Sequence, residues 1–178
     1  MKKKLFFSII VLLCSMMSAL STQAQSWTAS APAAGTFYIY NVGAEKFLAS
    51  GTSWGSRASI EPHGAMKLTL AVSGGGYTIS TDAIYSGKYL GSDGFMDNGT
   101  SAVWTFEAVS GQSNTYKMKN GSDYLYWDGS GTWTTSVGSD PGNSNGYWKL
   151  VTPDNLKASL NDASLTNPVD ATFLLGNS

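Results

Sequence analysis

Apolar and polar residues alternate along this chain in short runs, and the runs recur. Phe37 and Ile39 take one face against Tyr38 and Tyr40; Tyr77 and Ile79 alternate with Thr78 and Ser80; Tyr116 and Met118 alternate with Lys117 and Lys119. A period of two predicts strands with one buried face. The three runs open at intervals of 40 and 39 residues. Each is followed by an aromatic–leucine pair: Phe47 and Leu48, Tyr89 and Leu90, Tyr124 and Leu125. Each unit then closes on an inward series, namely Leu68, Leu70 and Val72, then Trp104, Phe106 and Ala108, then Trp148 and Leu150. Helical periodicity is almost absent between Thr36 and Thr152.

Turn chemistry agrees with this reading. Ser50-Gly51, Asp93-Gly94 and Asp128-Gly129 separate the second and third strands of their units. Asp-Gly favours hairpins because glycine, and less readily aspartate, accepts positive φ. All twenty glycines follow residue 24, as a fold built of turns and hairpins requires. Hairpin units of this kind cannot each bury an apolar face alone. Packed about an axis they share one core and remove their exposed edges. The expected fold is therefore all-β, a β-trefoil of three four-strand repeats of roughly 40 residues spanning residues 35–152, with a short C-terminal helix and an extended tail. The run from Phe37 to Leu48, with Trp104-Thr105-Phe106, resembles β-trefoil modules of the ricin B-type lectin and fascin-like kind in secreted proteins of Gram-negative bacteria. Trp104 and Trp148 stand where those lectins carry a Gln-x-Trp signature, but the glutamine is replaced by Met66, Ala102 and Gly146 in the three units. The resemblance thus implies the fold and not the lectins' own sugar contacts.

The chain ends read differently. Lys2, Lys3 and Lys4 precede an apolar run from Leu5 to Leu13 broken only by Ser8, and Thr22-Gln23-Ala24 supplies small residues for cleavage. Residues 1–24 are expected to be a signal peptide removed after Ala24, giving a secreted or periplasmic protein, or one at the cell surface. The run is short of the roughly 20 apolar residues that span a bilayer, so no membrane insertion is expected after cleavage. Cys14 offers a lipoprotein alternative, opposed by bulky Leu13 where a small residue belongs. Residues 25–178 then lack cysteine and must be held by core burial, for which one domain of this size suffices. Three of the eleven Lys and Arg leave with the leader, against twelve Asp and Glu that stay. With no basic stripe, nucleic acid and anionic membranes are excluded as main partners. In the tail, 153–178, Pro153 ends the last strand and Asp154 caps a short helix with Leu156 and Leu160 on one face. Asn167 to Leu175 reads as an extended segment, either docking back or beginning a further domain or partner contact.

Catalytic chemistry finds little support. His63 is the chain's one histidine, no Gly-x-Ser-x-Gly elbow occurs, and a zinc site lacks ligands. Asp93 with Asp97, or Asp123 with Asp128, would pair as in glycoside hydrolysis, yet carboxylates in glycine-rich turns ordinarily form the turns. No metal, cofactor or enzymatic activity is expected. Aromatic residues at the turns say more. A sugar presents an apolar C–H face and a hydroxyl rim, and recognition takes an aromatic plate with fixed carboxylate or amide groups. The third unit supplies Asp128, Trp133, Tyr126, Asn143 and Asn145; the second supplies Asp93, Phe95 and Asn98; the first supplies Trp54. Asp128 and Trp133 lead this set. Against it, Trp104 and Trp148 are core by register, Trp54 and Trp133 would equally plug the end of a barrel, and Tyr126 and Trp127 must face opposite ways. The expected function is non-catalytic binding of a polysaccharide or glycoprotein glycan. The rivals are a protein-interaction module of inhibitor or adhesion type and a glycoside hydrolase.

Overall fold

The computed structural model describes residues 27–50, 58–61, 66–81, 88–96, 99–129 and 134–160. The described chain is all-β, with ten strands and one short helix. The strands are β1 (Gly35–Asn41), β2 (Lys46–Ser50), β3 (Ala58–Glu61), β4 (Leu68–Ser73) and β5 (Gly76–Thr81), then β6 (Thr105–Ala108), β7 (Tyr116–Asn120), β8 (Asp123–Trp127), β9 (Thr135–Gly138) and β10 (Trp148–Val151). A 3₁₀ turn, Ser144–Gly146, precedes β10, and helix α1 (Pro153–Leu160) follows it.

All pairings are antiparallel. β1 pairs with β10, β2 and β4; β4 with β5; β6 with β7; β7 with β8 and β10; β2 with β3; and β8 with β9. An isolated bridge between Tyr77 and Trp104 links β5 to the residue before β6. The pairings thus pass from β1 through β4, β5, β6, β7 and β10 back to β1, and the sheet curls. The expectation of a β-trefoil holds at the coarser level of an all-β, curled antiparallel sheet.

Alternation decides what fills the curl. Phe37, Ile39, Leu48, Leu68, Ile79 and Met118 join Trp104 and Trp148 in the main core. Both tryptophans are fully buried, and each indole N–H finds a carbonyl: Trp104 Nε1 donates to Leu90 O at 3.2 Å and Trp148 Nε1 to Leu125 O at 2.9 Å. Each indole is thus tied to the leucine of the aromatic–leucine pair that precedes it. Satisfying the indole lets the ring deliver its burial energy, about 3 kcal/mol each, without a desolvation penalty.

Three expectations need correction. Val72 does not point inward; it is 72% exposed. The hairpin of β4 and β5 runs past the end of the core, so its alternation continues with nothing to cover it. Ala108 is likewise exposed at the end of β6. The helix cap is Thr152, whose Oγ1 accepts from Asn155 N at 3.2 Å, and Asp154 lies in the first turn, where its charge still suits the helix dipole. The small polar segment from Trp27 to Ala34 packs onto the sheet. Trp27 packs edge-on against Phe47 at 5.1 Å, within a second cluster of Tyr38, Phe47, Val151 and Leu156. Ser30 N donates to Leu150 O at 2.7 Å. Tyr38 and Tyr40 thus belong to a second apolar layer, with Phe37 and Ile39 serving the first. Residues 161–178, and with them the extended tail, lie outside the described residues.

Candidate functional site

The sequence between Leu90 and Met96 folds into a compact turn. Leu90 is buried and its N–H donates to Ile79 O at 2.9 Å, which anchors the turn to β5. Gly91 N then donates to Phe95 O at 2.8 Å, Gly94 N to Gly91 O at 3.1 Å, and Phe95 N to Asp93 Oδ1 at 3.1 Å. Gly94 sits at φ +81°, which only glycine adopts without strain. Facing this turn are Thr100, Ser101 and Ala102, on the approach to Trp104. Asn120, from the end of β7, completes the wall; its Nδ2 donates to Val103 O at 2.8 Å. Together these residues enclose a polar pocket of about 250 Å³, lined by Gly91, Ser92, Asp93, Thr100, Ser101, Ala102 and Asn120. The lining offers three hydroxyls, an amide and one carboxylate, and no cationic side chain. Phe95 is half-buried beside the turn and is not part of the lining.

The third-unit candidates gather at one end of β8, and there they mostly hold turns. Asp128 Oδ2 accepts from Thr134 Oγ1 at 2.7 Å, while Asp128 N donates to Thr134 O at 3.2 Å, closing the loop after β8. Asn143 Oδ1 accepts from Asn145 N at 2.9 Å and caps the 3₁₀ turn. Asn145 O in turn accepts from Asn41 Nδ2 at 2.8 Å, and Asn41 Oδ1 takes Ala44 N at 2.8 Å, so fully buried Asn41 ties the first turn to the third unit. The amide of Asn145 lies so close to Gly43 that a Cβ there would meet its Oδ1 at 2.6 Å. Tyr126 faces outward, with its ring over the Gly138 position, and Trp127 packs against the core, as strand alternation demands. Trp133, Trp54 and Asn98 lie outside the described residues.

Outside β7 and β8 runs a chain of paired charges. Lys117 is hydrogen-bonded to Asp140, and Lys119 Nζ donates to Glu107 Oε1 at 2.8 Å, while Tyr124 OH donates to Glu107 Oε2 at 2.9 Å. The lysine beside each carboxylate is the main reason why Glu107 and Asp140 both titrate below the ordinary range. Lys117 and Lys119 are raised by the same bonds. Among the described residues no cluster of His, Cys, Asp and Glu could hold a metal ion.

Sequence reasoning found Asp93 but missed Thr100, Ser101 and Asn120, which meet it only in the folded chain. Asn120 also opens the two-residue loop, Gly121 and Ser122, between β7 and β8.

No family model matches the chain, and no curated protein matches it. Solved structures do. A salivary protein from Culex quiquefasciatus that belongs to the Cysteine and Tryptophan-Rich (CWRC) family is similar with a TM-score of 0.50 and 18% identity, over 71% of this chain and 98% of that one. An exo-beta-1,3-galactanase from Clostridium thermocellum is similar with a TM-score of 0.50 and 17% identity, over 69% of this chain and 31% of that one. At these identities the likeness is one of fold alone. The CWRC neighbour overturns the expected resemblance to ricin B-type lectin and fascin-like modules. The reason is physical: aromatic-x-apolar triplets and aromatic–leucine pairs are what any strand with one buried face carries, so they report burial and not ancestry. Nor does a cysteine framework link the chain to the salivary protein, since its one cysteine is Cys14.

Proposed function

We propose that this protein is an exported, non-catalytic module that binds neutral carbohydrate in the Asp93 pocket. The observation that carries the reading is the lining itself. Three hydroxyls, an amide and a carboxylate over a glycine floor are the donors and acceptors that a sugar's hydroxyl rim requires. The carboxylate, with no cation among the lining residues, disfavours uronates and sulfated sugars. The curl of the sheet supports the reading by tying both pocket walls to backbone carbonyls, through Leu90 N to Ile79 O and Asn120 Nδ2 to Val103 O. A site this open supports roughly millimolar affinity, about −4 kcal/mol. Similarity to part of a galactanase is compatible with a sugar ligand, although it bears on fold.

The decisive experiment is calorimetric or NMR titration with a panel of neutral and anionic oligosaccharides. Ser101→Trp fills the pocket mouth from an exposed position and should weaken binding at least tenfold with an unchanged melting temperature. Asp93→Asn keeps the acceptor for Phe95 N and should lessen discrimination against anionic sugars. Equal binding by Ser101→Trp and wild type would remove the pocket from consideration, and silence across the whole panel would end the carbohydrate reading.

A further inference from the structure

We infer that the outer face of β7 to β9 is a second carbohydrate surface, a tyrosine platform suited to a stretch of neutral polysaccharide. It goes beyond the pocket reading and does not require it. In β8, Leu125 and Trp127 turn to the core, which leaves Tyr124 and Tyr126 outward, about 6.6–6.8 Å apart along the strand. Tyr147 joins them: Lys117 Nζ lies 5.9 Å from the Tyr124 ring centre and 6.0 Å from that of Tyr147. Gly138 is the cross-strand partner of Tyr124, and the Tyr126 ring lies over it, so no side chain at that position roofs the rings.

The polar groups sort the ligand. Tyr124 OH is committed to Glu107, but the phenols of Tyr126 and Tyr147 hydrogen-bond no described residue. A packing role alone explains Tyr124, held between two lysines, and does not use the phenols of Tyr126 and Tyr147. Two ion pairs lie on the face, Lys117 with Asp140 and Lys119 with Glu107, and within each the charges cancel. An anionic polymer would have to displace a carboxylate to gain a lysine, whereas an uncharged chain meets a neutral surface of rings, phenols and ion-pair edges. Asn120, the pocket wall, directly follows Lys119, so pocket and platform lie on opposite faces of one strand. Two sites on one rigid body gain by avidity on a polymer.

Affinity electrophoresis in gels containing soluble β-glucan, galactan or dextran sulfate tests this. Retardation by a neutral polymer should fall at least fivefold when Tyr126→Ser and Tyr147→Ser are combined, with Ser101 or with Ser101→Trp as the background alike, and dextran sulfate should retard none of them. Tyr126→Phe with Tyr147→Phe, which keeps the rings, should retain part of the effect and guards against misfolding of the serine variant. Oligosaccharides of the retarding polymer should shift the amide resonances of Ser136, Val137 and Gly138. Unchanged retardation of both tyrosine variants, preference for dextran sulfate, or still resonances in β9 would each overturn the platform. Loss of binding in Ser101→Trp alone would instead speak to the pocket.

Discussion

Tyr40 shows how one side chain ties pH to stability. Burial in the second cluster, with the Glu45 charge nearby, pushes its phenol from 10.0 up to about 12. The neutral form is therefore favoured in the folded state. Its contribution is fully present below pH 10 and is lost as pH rises from 10 to about 12. Tyr38, raised by the same burial, acts in the same sense. Urea midpoints for Tyr40→Phe should accordingly fall less between pH 9.5 and 11.5 than those of wild type; equal slopes would show that the phenol is already solvated. Glu107 and Asp140 work at the other end of the scale. Their depressed carboxyls stabilise above the ordinary carboxylate range and lose that contribution as pH falls through it, but these are exposed pairs and contribute little.

At the scale of the element, the turns decide register. β4 and β5 pair from Leu68 opposite Thr81 to Ser73 opposite Gly76, leaving Gly74 and Gly75 as the loop at φ +52° and +85°. Both central residues at positive φ is what a type I′ turn demands. Space is open around Gly75, so Gly75→Ala isolates the conformational cost, expected at about 1–2 kcal/mol. Gly99→Ala, also in open space and without positive φ, should be neutral or slightly stabilising. Denaturant midpoints of the two variants check the contrast, and equal effects would contradict it. Alternation made the strands legible: Phe37 with Ile39 and Trp104 with Trp148 were assigned inward from period alone. Val72 was misassigned by the same rule, because period two states which residues share a face and not whether anything covers it. Thr152 was passed over as a cap because Asp154 looked equally apt from local chemistry.

Across the whole molecule, the segment from Trp27 to Pro32 works as a strap. Its backbone accepts from Asn155 at Thr28 O, from Asn114 at Ala29 O and from Tyr77 at Pro32 O, and Ser30 donates to Leu150 O. It thereby links β5, β7's approach, β10 and α1, while Trp27 covers Phe47. Trp27→Ala should lower stability by about 1–2 kcal/mol with an unchanged m-value, since no new surface class is exposed. A lowered m-value would show instead that α1 detaches. None of these long-range ties was written in the sequence in readable form. The same holds for the pocket, where Asp93, Thr100 and Asn120 meet only because β5, β6 and β7 are neighbours.

Sequence alone determined the strand content, the faces of most strands, the two core tryptophans and the Asp93 turn, because each follows from period, size or φ within a few residues. Tertiary structure decided the rest: where the core stops, which polar groups share a pocket, that β8 turns its tyrosines onto a neutral face, and that Trp27 is an anchor. Those outcomes depend on which strands become neighbours. Pairing between residues as distant as Asn41 and Asn145 is chosen by the joint burial of all the faces at once, a quantity that no single segment carries.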